Sequence, residues 1–306
     1  MTSQPELHVI IGAGPVGQAL MHELLARGRR VRIVNRNGQL SAPPAAEVRA
    51  GDATDPAAMR ALCAGATAVY NCTNAPYTDW PRQFPPLQAG VLAGAAAAGA
   101  KLIAIDNLYA YGPTGGALLT EALPPAATTR KGRTRASMAA DLLAAHARGE
   151  VRVAIGRASD YFGPGARDSA VGARVFVPAL AGKPAQLIGP LDLPHTYSYI
   201  PDIAHGLATL GENDVALGRI WHLPNAPTVT TREFLGMVFD EAGYPPRIQA
   251  LPGWLVRGLG LAMPMMRELA EMLYEFEEPF VVDHSAFAKA FGTRITPLRD
   301  AIRATL

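Results

Sequence analysis

The chain has 306 residues, of which 49% are hydrophobic and 18% charged, ample for a folded core and unlike a disordered chain. A net charge of +2 carries no general signal for nucleic acid or for an acidic membrane surface. Two cysteines make no disulfide framework, which fits a reducing cytoplasm.

Residues 1–6 are polar and lead at once into a strand, so they do not read as a secretory leader. Strands are predicted at 7–11, 31–35, 67–71, 101–105 and 151–156, with a further short one just before Gly51. Helices are predicted at about 15–27, 56–64, 86–99 and 134–148. In the first helix Val16, Ala19, Leu20, Leu24 and Leu25 recur at helical spacing, and Gly28 is its stop. A long uncharged stretch, 84–100, is dominated by Ala and Gly and reads as a small-residue helix on a sheet, not a membrane span. Strands alternating with helices imply right-handed crossovers and a Rossmann-type, doubly wound α/β fold with a parallel sheet. Its ligands bind beyond the carboxyl ends of the strands, which places Gly12, Asn35, Asn71, Asp106 and Arg157 along one rim.

After about residue 160 the regularity breaks at Gly163-Pro164-Gly165, Gly182-Lys183-Pro184, Gly189-Pro190 and Pro245-Pro246. The expected organisation is a dinucleotide-binding domain over 1–160 and a smaller, mainly substrate-binding lobe over 161–306, with segments near 195–225 returning to the sheet. Within the lobe, Trp254, Leu255, Leu259, Met265, Leu269, Met272, Leu273 and Phe276 have helical spacing. They read as a helical pair packing the lobe, the alternative being a hydrophobic substrate or partner surface.

The chemistry starts at Gly12-Ala13-Gly14-Pro15-Val16-Gly17, directly after an apolar strand. Gly12 allows the tight turn, Gly14 lets backbone approach a pyrophosphate, and Gly17 lets the helix lie close to the sheet. First-turn amides at the positive end of that helix suit a dinucleotide's phosphates. Where an unphosphorylated ribose is usually met by Asp or Glu, the chain has Asn35-Arg36-Asn37. A guanidinium pairs with a 2′-phosphate that a carboxylate would repel, so the expected cofactor is NADP(H) over NAD(H). Asp52, beside Ala53, can accept from the adenine amino group, and Asp55 before Pro56 reads as a helix cap.

These blocks together resemble the extended short-chain dehydrogenase/reductase superfamily of epimerases, dehydratases and reductases, over nearly the whole length. The Gly12–Gly17 fingerprint and Gly51-Asp52-Ala53-Thr54-Asp55 carry the resemblance first. Asn71-Cys72-Thr73-Asn74-Ala75 is similar to the loop passing the middle of the cofactor. Arg157-Ala158-Ser159-Asp160-Tyr161-Phe162-Gly163-Pro164-Gly165 is similar to the strand and loop beside the nicotinamide. Tyr197–Ala204 and the ending Asp283-His284-Ser285, Phe291-Gly292 and Pro297-Leu298 complete the order. The resemblance implies cofactor contacts from Gly12, Gly14, Pro15, Val16, Gly17, Asn35, Arg36, Asp52, Ala53, Cys72, Thr73, Asn74, Arg135, Ala158 and Ser159.

The family's chemistry uses a Tyr-x-x-x-Lys pair and a Ser. In this sequence Lys131 stands in the Tyr place, Arg135 in the Lys place and Asn107 in the Ser place. An arginine shuttles no proton, though it can bind the nicotinamide ribose. The candidate catalytic set is therefore Tyr109, Asn107, Arg135 and Lys131: Tyr109 as a phenol activated by Arg135 or Lys131, and Asn107 as a donor to a substrate carbonyl. Tyr161 is a second candidate phenol. The basic run Arg130, Lys131, Arg133, Arg135 reads either as a seat for an acidic substrate or as a solvated loop. His195 and His8 read as packed histidines, with cleft lining the alternative for His195, and the seven histidines show no metal spacing. The expected function is NADP(H)-dependent reduction of a C=O, C=C or C=N bond in a small organic substrate, in a cytoplasmic enzyme that pairs as a homodimer through the helix near 86–99. The alternative is a non-catalytic NADP(H) sensor.

Overall fold

The computed structural model describes residues 6–306; the polar start, residues 1–5, lies outside them. In chain order the first half runs β1 (Leu7–Ile11), α1 (Pro15–Ala26), β2 (Arg30–Asn35), β3 (Ala46–Ala50), α2 (Pro56–Cys63), β4 (Ala66–Asn71), α3 (Trp80–Ala98), β5 (Lys101–Asp106), α4 (Arg130–Ala147) and β6 (Arg152–Arg157). The second half continues with β7 (Asp160–Phe162), α5 (Ala173–Leu180), β8 (Ala185–Ile188), β9 (Pro194–His195), β10 (Tyr197–Tyr199), α6 (Ile200–Glu212) and β11 (Arg219–His222). It closes with β12 (Val229–Thr230), α7 (Thr231–Ala242), β13 (Ile248–Leu251), α8 (Gly253–Leu259), α9 (Pro264–Ala270), α10 (Tyr274–Glu277), α11 (Ser285–Phe291) and α12 (Leu298–Arg303).

Contacts divide the chain into two units that alternate along it. The first comprises residues through Asp106, Arg133–Arg157 and Ile203–Leu223; the second comprises Asn107–Gly132, Ala158–Asp202 and Pro224–Leu306.

The first unit is built on a seven-stranded sheet in the order β11-β6-β5-β4-β1-β2-β3, with every pairing parallel. This is the Rossmann-type α/β fold expected from the alternation. Strands buried on both faces read as continuous apolar runs, and β1 is buried at all five positions. Its core gathers Val9, Ile11, Val69, Leu102, Val153 and Ile155 with residues of α3 and α4.

The third helix starts at Trp80, six residues before the predicted start. Pro81 sits in the first turn, where no amide is needed, and Pro85 and Pro86 lie inside the helix. Packing outweighs their cost: a Cβ on Gly90 would come within 2.0 Å of Ala53 O, and one on Gly94 within 2.8 Å of Met59 O. Gly90 and Gly94 are therefore used inside the unit, against the α2 region.

The second unit has its own core, with Phe162, Phe176, Tyr197, Phe234 and Phe239 among its members. The predicted helical pair is present as α8 and α9, but its stripe splits. Met272 and Leu273 are buried, whereas Trp254 is 72% and Met265 48% exposed.

Candidate active site

Because all seven strands run parallel, Gly12, Asn35, Asn71, Asp106 and Arg157 stand at or just past their carboxyl ends, along one rim of the first unit. At the head of α1, Gly12 has φ +109°, and a Cβ there would lie 2.3 Å from Cys72 O. A Cβ on Gly17 would lie 2.0 Å from Gly12 O. Both glycines are thus required by protein packing. Gly14 is different: its missing Cβ faces open space, with nothing within 4 Å. As N-cap it offers no side-chain cap, and Pro15 follows at the first helical position. The first-turn amides of Val16 and Gly17 therefore lack intrahelical partners at the positive end of a 12-residue helix. That is a cradle fitting a nucleotide pyrophosphate.

Past β2, Asn35 Oδ1 accepts from Gly38 N at 2.6 Å and its Nδ2 donates to Gln39 O at 2.9 Å. Asn35 therefore shapes the loop, while Arg36 is exposed on it. Asp52, also exposed, accepts from Thr54 N and Thr54 Oγ1. Those hydrogen bonds, the backbone one first, hold its carboxyl below the usual range, with Arg36 adding a smaller pull. Ala53 is buried under α3 and belongs to the packing. Past β4, Cys72 N extends the ladder to Ile11 O, and Asn71 Oδ1 holds both the amide and the hydroxyl of Thr73. Asn74 Oδ1 accepts from Ala75 N.

The same rim carries a buried charge triad. Asp106 lies 2.9 Å from Arg157 Nε through one oxygen and 2.9 Å from Arg135 Nε through the other, the latter an ion contact off the hydrogen-bond line. The Arg135 guanidinium also stacks 4.7 Å from the Phe84 ring centroid and 5.6 Å from that of Trp80. Asn71, Thr73, Asp106 and Arg135 line one small cavity. Two guanidiniums on one carboxylate leave this buried group with an excess positive charge.

The remaining candidates fall in the second unit. Tyr109 lies in a short 3₁₀ turn, Tyr109–Tyr111, and its amide donates to Asn107 Oδ1 at 3.2 Å. Ala158 and Ser159 are buried, and Ser159 N donates to Ser198 Oγ at 3.0 Å.

Lys131 is fully buried: its Nζ pairs with Glu268 Oε2 and, at 3.2 Å, with Glu271 Oε2. Arg130 joins the same two carboxylates. The Lys131 amide donates to Glu271 Oε1 at 3.1 Å, so a carboxylate closes this helix head. For Glu268, burial pushes the carboxyl up, but the bonds and charges of Lys131 and Arg130 outweigh it and the net shift is downward. Lys131 is thus neither solvated nor a free seat for an acidic substrate, whereas Arg130 stays more than half exposed beside the same two carboxylates. Sequence reading missed both glutamates, 137 and 140 residues downstream of Lys131, because no local pattern marks such a pairing.

It also missed a cluster around His195. The ring Nε2 lies 2.8 Å from Asp160 Oδ2, and the ring stacks on Phe276 and Phe280. Glu275 is buried close by, its carboxyl raised well above the usual range by burial first and by the charge of Asp160 second. Among the described residues, no group of His, Cys, Asp and Glu has metal-binding geometry and no helix is long and apolar enough to cross a membrane.

Residues 8–223 match the model of the NAD dependent epimerase/dehydratase family, and the chain belongs to that family. None of the curated proteins matches it in sequence. Among solved structures it is similar to a dTDP-glucose 4,6-dehydratase from Streptomyces venezuelae with NAD bound: 17% identity, 98% of this chain and 95% of that one covered, TM-score 0.80. It is likewise similar to a UDP-glucuronic acid 4-epimerase from Bacillus cereus in complex with its sugar nucleotide and NAD, at 18% identity, 98% and 97% coverage and TM-score 0.79. A crystal structure described as an epimerase from Burkholderia cenocepacia shares 19% identity over 99% of this chain and 98% of that one, with TM-score 0.78. At these identities the likeness establishes the fold, and family membership supports a nicotinamide dinucleotide as cofactor.

Proposed function

We propose that the protein is an NADP(H)-dependent oxidoreductase of the extended short-chain dehydrogenase/reductase type, reducing a C=O, C=C or C=N bond of a small organic molecule. The observation that carries this reading is the open head of α1, where Gly14 alone of the three glycines faces space rather than protein. Bound there, the nicotinamide would exchange a hydride with substrate. The chain's own residues bind and orient: the α1 amides the pyrophosphate, Asp52 the adenine, and the Thr73 loop the middle of the dinucleotide. Arg135, held by Asp106 and two aromatic rings, is the positive group for the nicotinamide ribose. Exposed Arg36, with no carboxylate at the end of β2, supports NADP(H) over NAD(H). The supporting cast in this reading is a cytoplasmic setting and a single small-molecule substrate.

Calorimetry with the four pyridine nucleotides tests this. NADPH and NADP⁺ are expected to bind more tightly than NADH and NAD⁺; equal affinities refute the preference, and no heat with any of them refutes the cofactor. One observation favours the non-catalytic sensor as a second reading: Lys131, which the sequence resemblance would put in the place of the family's phenol, is buried between two carboxylates. Tight NADPH binding without substrate-dependent oxidation across carbonyls, enones and imines would select the sensor.

A further inference from the structure

Nine large hydrophobic side chains stand exposed among the described residues, and four of them fall in the α8–α9 hairpin: Trp254, Leu261, Met263 and Met265. Exposed apolar side chains scattered singly are ordinary; a contiguous tip of them is not. Met263 N donates to Leu259 O at 2.9 Å, so helical bonding runs on past α8 and carries Leu261 onto the face that Trp254 and Gly258 share. Leu261 is 86% exposed. Exposure then continues without a break through Ala262, Met263, Pro264 and Met265. Val256 and Gly260, by contrast, are buried and tie the hairpin to its own unit.

Two properties say what covers this tip. The first is its backbone, because a hydrocarbon environment accepts a chain only where the polar groups are satisfied from within. The amides of Leu261 and Ala262 donate to Gly258 O and Leu259 O, Met263 N shares that second acceptor, and Pro264 has no N–H. Gly260 O accepts from Arg267 Nε at 3.2 Å. The second property is charge. Residues 251–267 include two arginines and no acid. Arg257 pairs with Glu277, whereas Arg267 is exposed and meets no carboxylate among the described residues, which leaves its charge for an external anion. A protein partner asks for a donor and acceptor pattern around an apolar centre. Here an apolar point with a closed backbone stands above a free cation, the combination that suits a lipid interface.

We infer that the α8–α9 hairpin is a membrane-docking tip that seats the second unit on a bilayer containing anionic phospholipid. Leu261, Met263 and Met265 enter the acyl boundary, Trp254 lies at headgroup level and Arg267 meets lipid phosphate. Immersion of this kind is shallow, about 5–10 Å, and needs no membrane-spanning helix. The inference is independent of the cofactor reading.

Trp254 is its own reporter, since the other two tryptophans, Trp80 and Trp221, are buried. On vesicles of phosphatidylcholine with about a third phosphatidylglycerol, its emission is expected to shift to the blue and to be quenched by lipid brominated on the acyl chain. Trp254→Phe should lose both signals while still sedimenting with the vesicles. Leu261→Gln combined with Met265→Gln should keep the wild-type Tm, both side chains being exposed, and lower vesicle partitioning at least about tenfold. Arg267→Gln should weaken binding about fivefold and flatten its decline with salt. Unshifted emission, absence of quenching, or partitioning indifferent to the Leu261 and Met265 pair overturns the inference. Equal binding to phosphatidylcholine alone overturns it too, because Arg267 would then select nothing. So does self-association without lipid, seen by sedimentation velocity and abolished in the double variant, which would assign the tip to a second copy of the chain.

Discussion

At the head of α1, Gly14 contributes no side chain and Pro15 no amide, so the next two N–H groups stay open to a ligand. At the head of α4, the Lys131 amide is already taken by Glu271, and Lys131 itself is sealed between Glu271 and Glu268. Both heads follow a loop, and both stand out in the sequence as seats for negative charge. One is left vacant by its own residues; the other is filled by carboxylates from α9 and just beyond it. The difference shows that a basic or glycine-rich helix start becomes a ligand site only if the rest of the chain supplies no internal anion.

The largest expected effect comes from breaking the filled head. Lys131→Met takes the buried cation from two largely buried carboxylates, leaving them the half-exposed Arg130, and should cost about 3 kcal/mol in a urea melt. Adding Glu268→Gln and Glu271→Gln to Lys131→Met should restore much of that loss, since the apolar stem is kept. The pH dependence has a definite sign. Glu268 is held below its ordinary value of 4.5 when folded, so its contribution is present above that value and is lost as pH falls through the lower, folded one. Wild type should therefore lose stability more steeply than Lys131→Met on acidification below 4.5.

The open head should respond in the opposite way. A Cβ on Gly14 meets no protein atom, and its φ of −71° suits any residue. Gly14→Ala should keep the wild-type Tm while NADPH affinity falls roughly a hundredfold, about 2.7 kcal/mol. Retained affinity by calorimetry would show that phosphates do not sit there.

How far the sequence reveals each region follows from the range of the forces involved. The strand and helix periods of the first unit, its glycine fingerprint and the caps are local, and β1, β4 and α1 fall within a residue or two of their expected limits. The early start of α3 was hidden because Pro81, Pro85 and Pro86 argue locally against a helix that tertiary packing imposes. In the second unit the informative contacts join Lys131 to Glu268 and Asp160 to His195. They span loops whose conformation no periodicity encodes. Arg36 was legible as a missing carboxylate at the end of β2, yet the role of Asn35 in folding that loop was not.

Arg36 gives the next test in size. If its guanidinium pairs with a 2′-phosphate, Arg36→Ala should weaken NADPH binding by about 1.5–3 kcal/mol and leave NADH binding within twofold. Equal weakening of both would reduce Arg36 to a general attraction for nucleotides.

The smallest effect isolates what capping alone contributes, using a third helix head. The α2 helix begins, like α1, with a proline at its first turn, but its N-cap Asp55 accepts from Ala57 N and Ala58 N. Asp55→Ala removes that acceptor and should cost about 1 kcal/mol of stability. The residue is exposed and satisfies its own helix, so NADPH affinity should not move. Gly14→Ala and Asp55→Ala thus form a crossed pair: the first changes affinity without stability, the second stability without affinity. If both variants lost affinity, the separation between a self-capped head and a ligand-capped one would fail, and phosphate binding would have to be distributed along the rim rather than seated at α1.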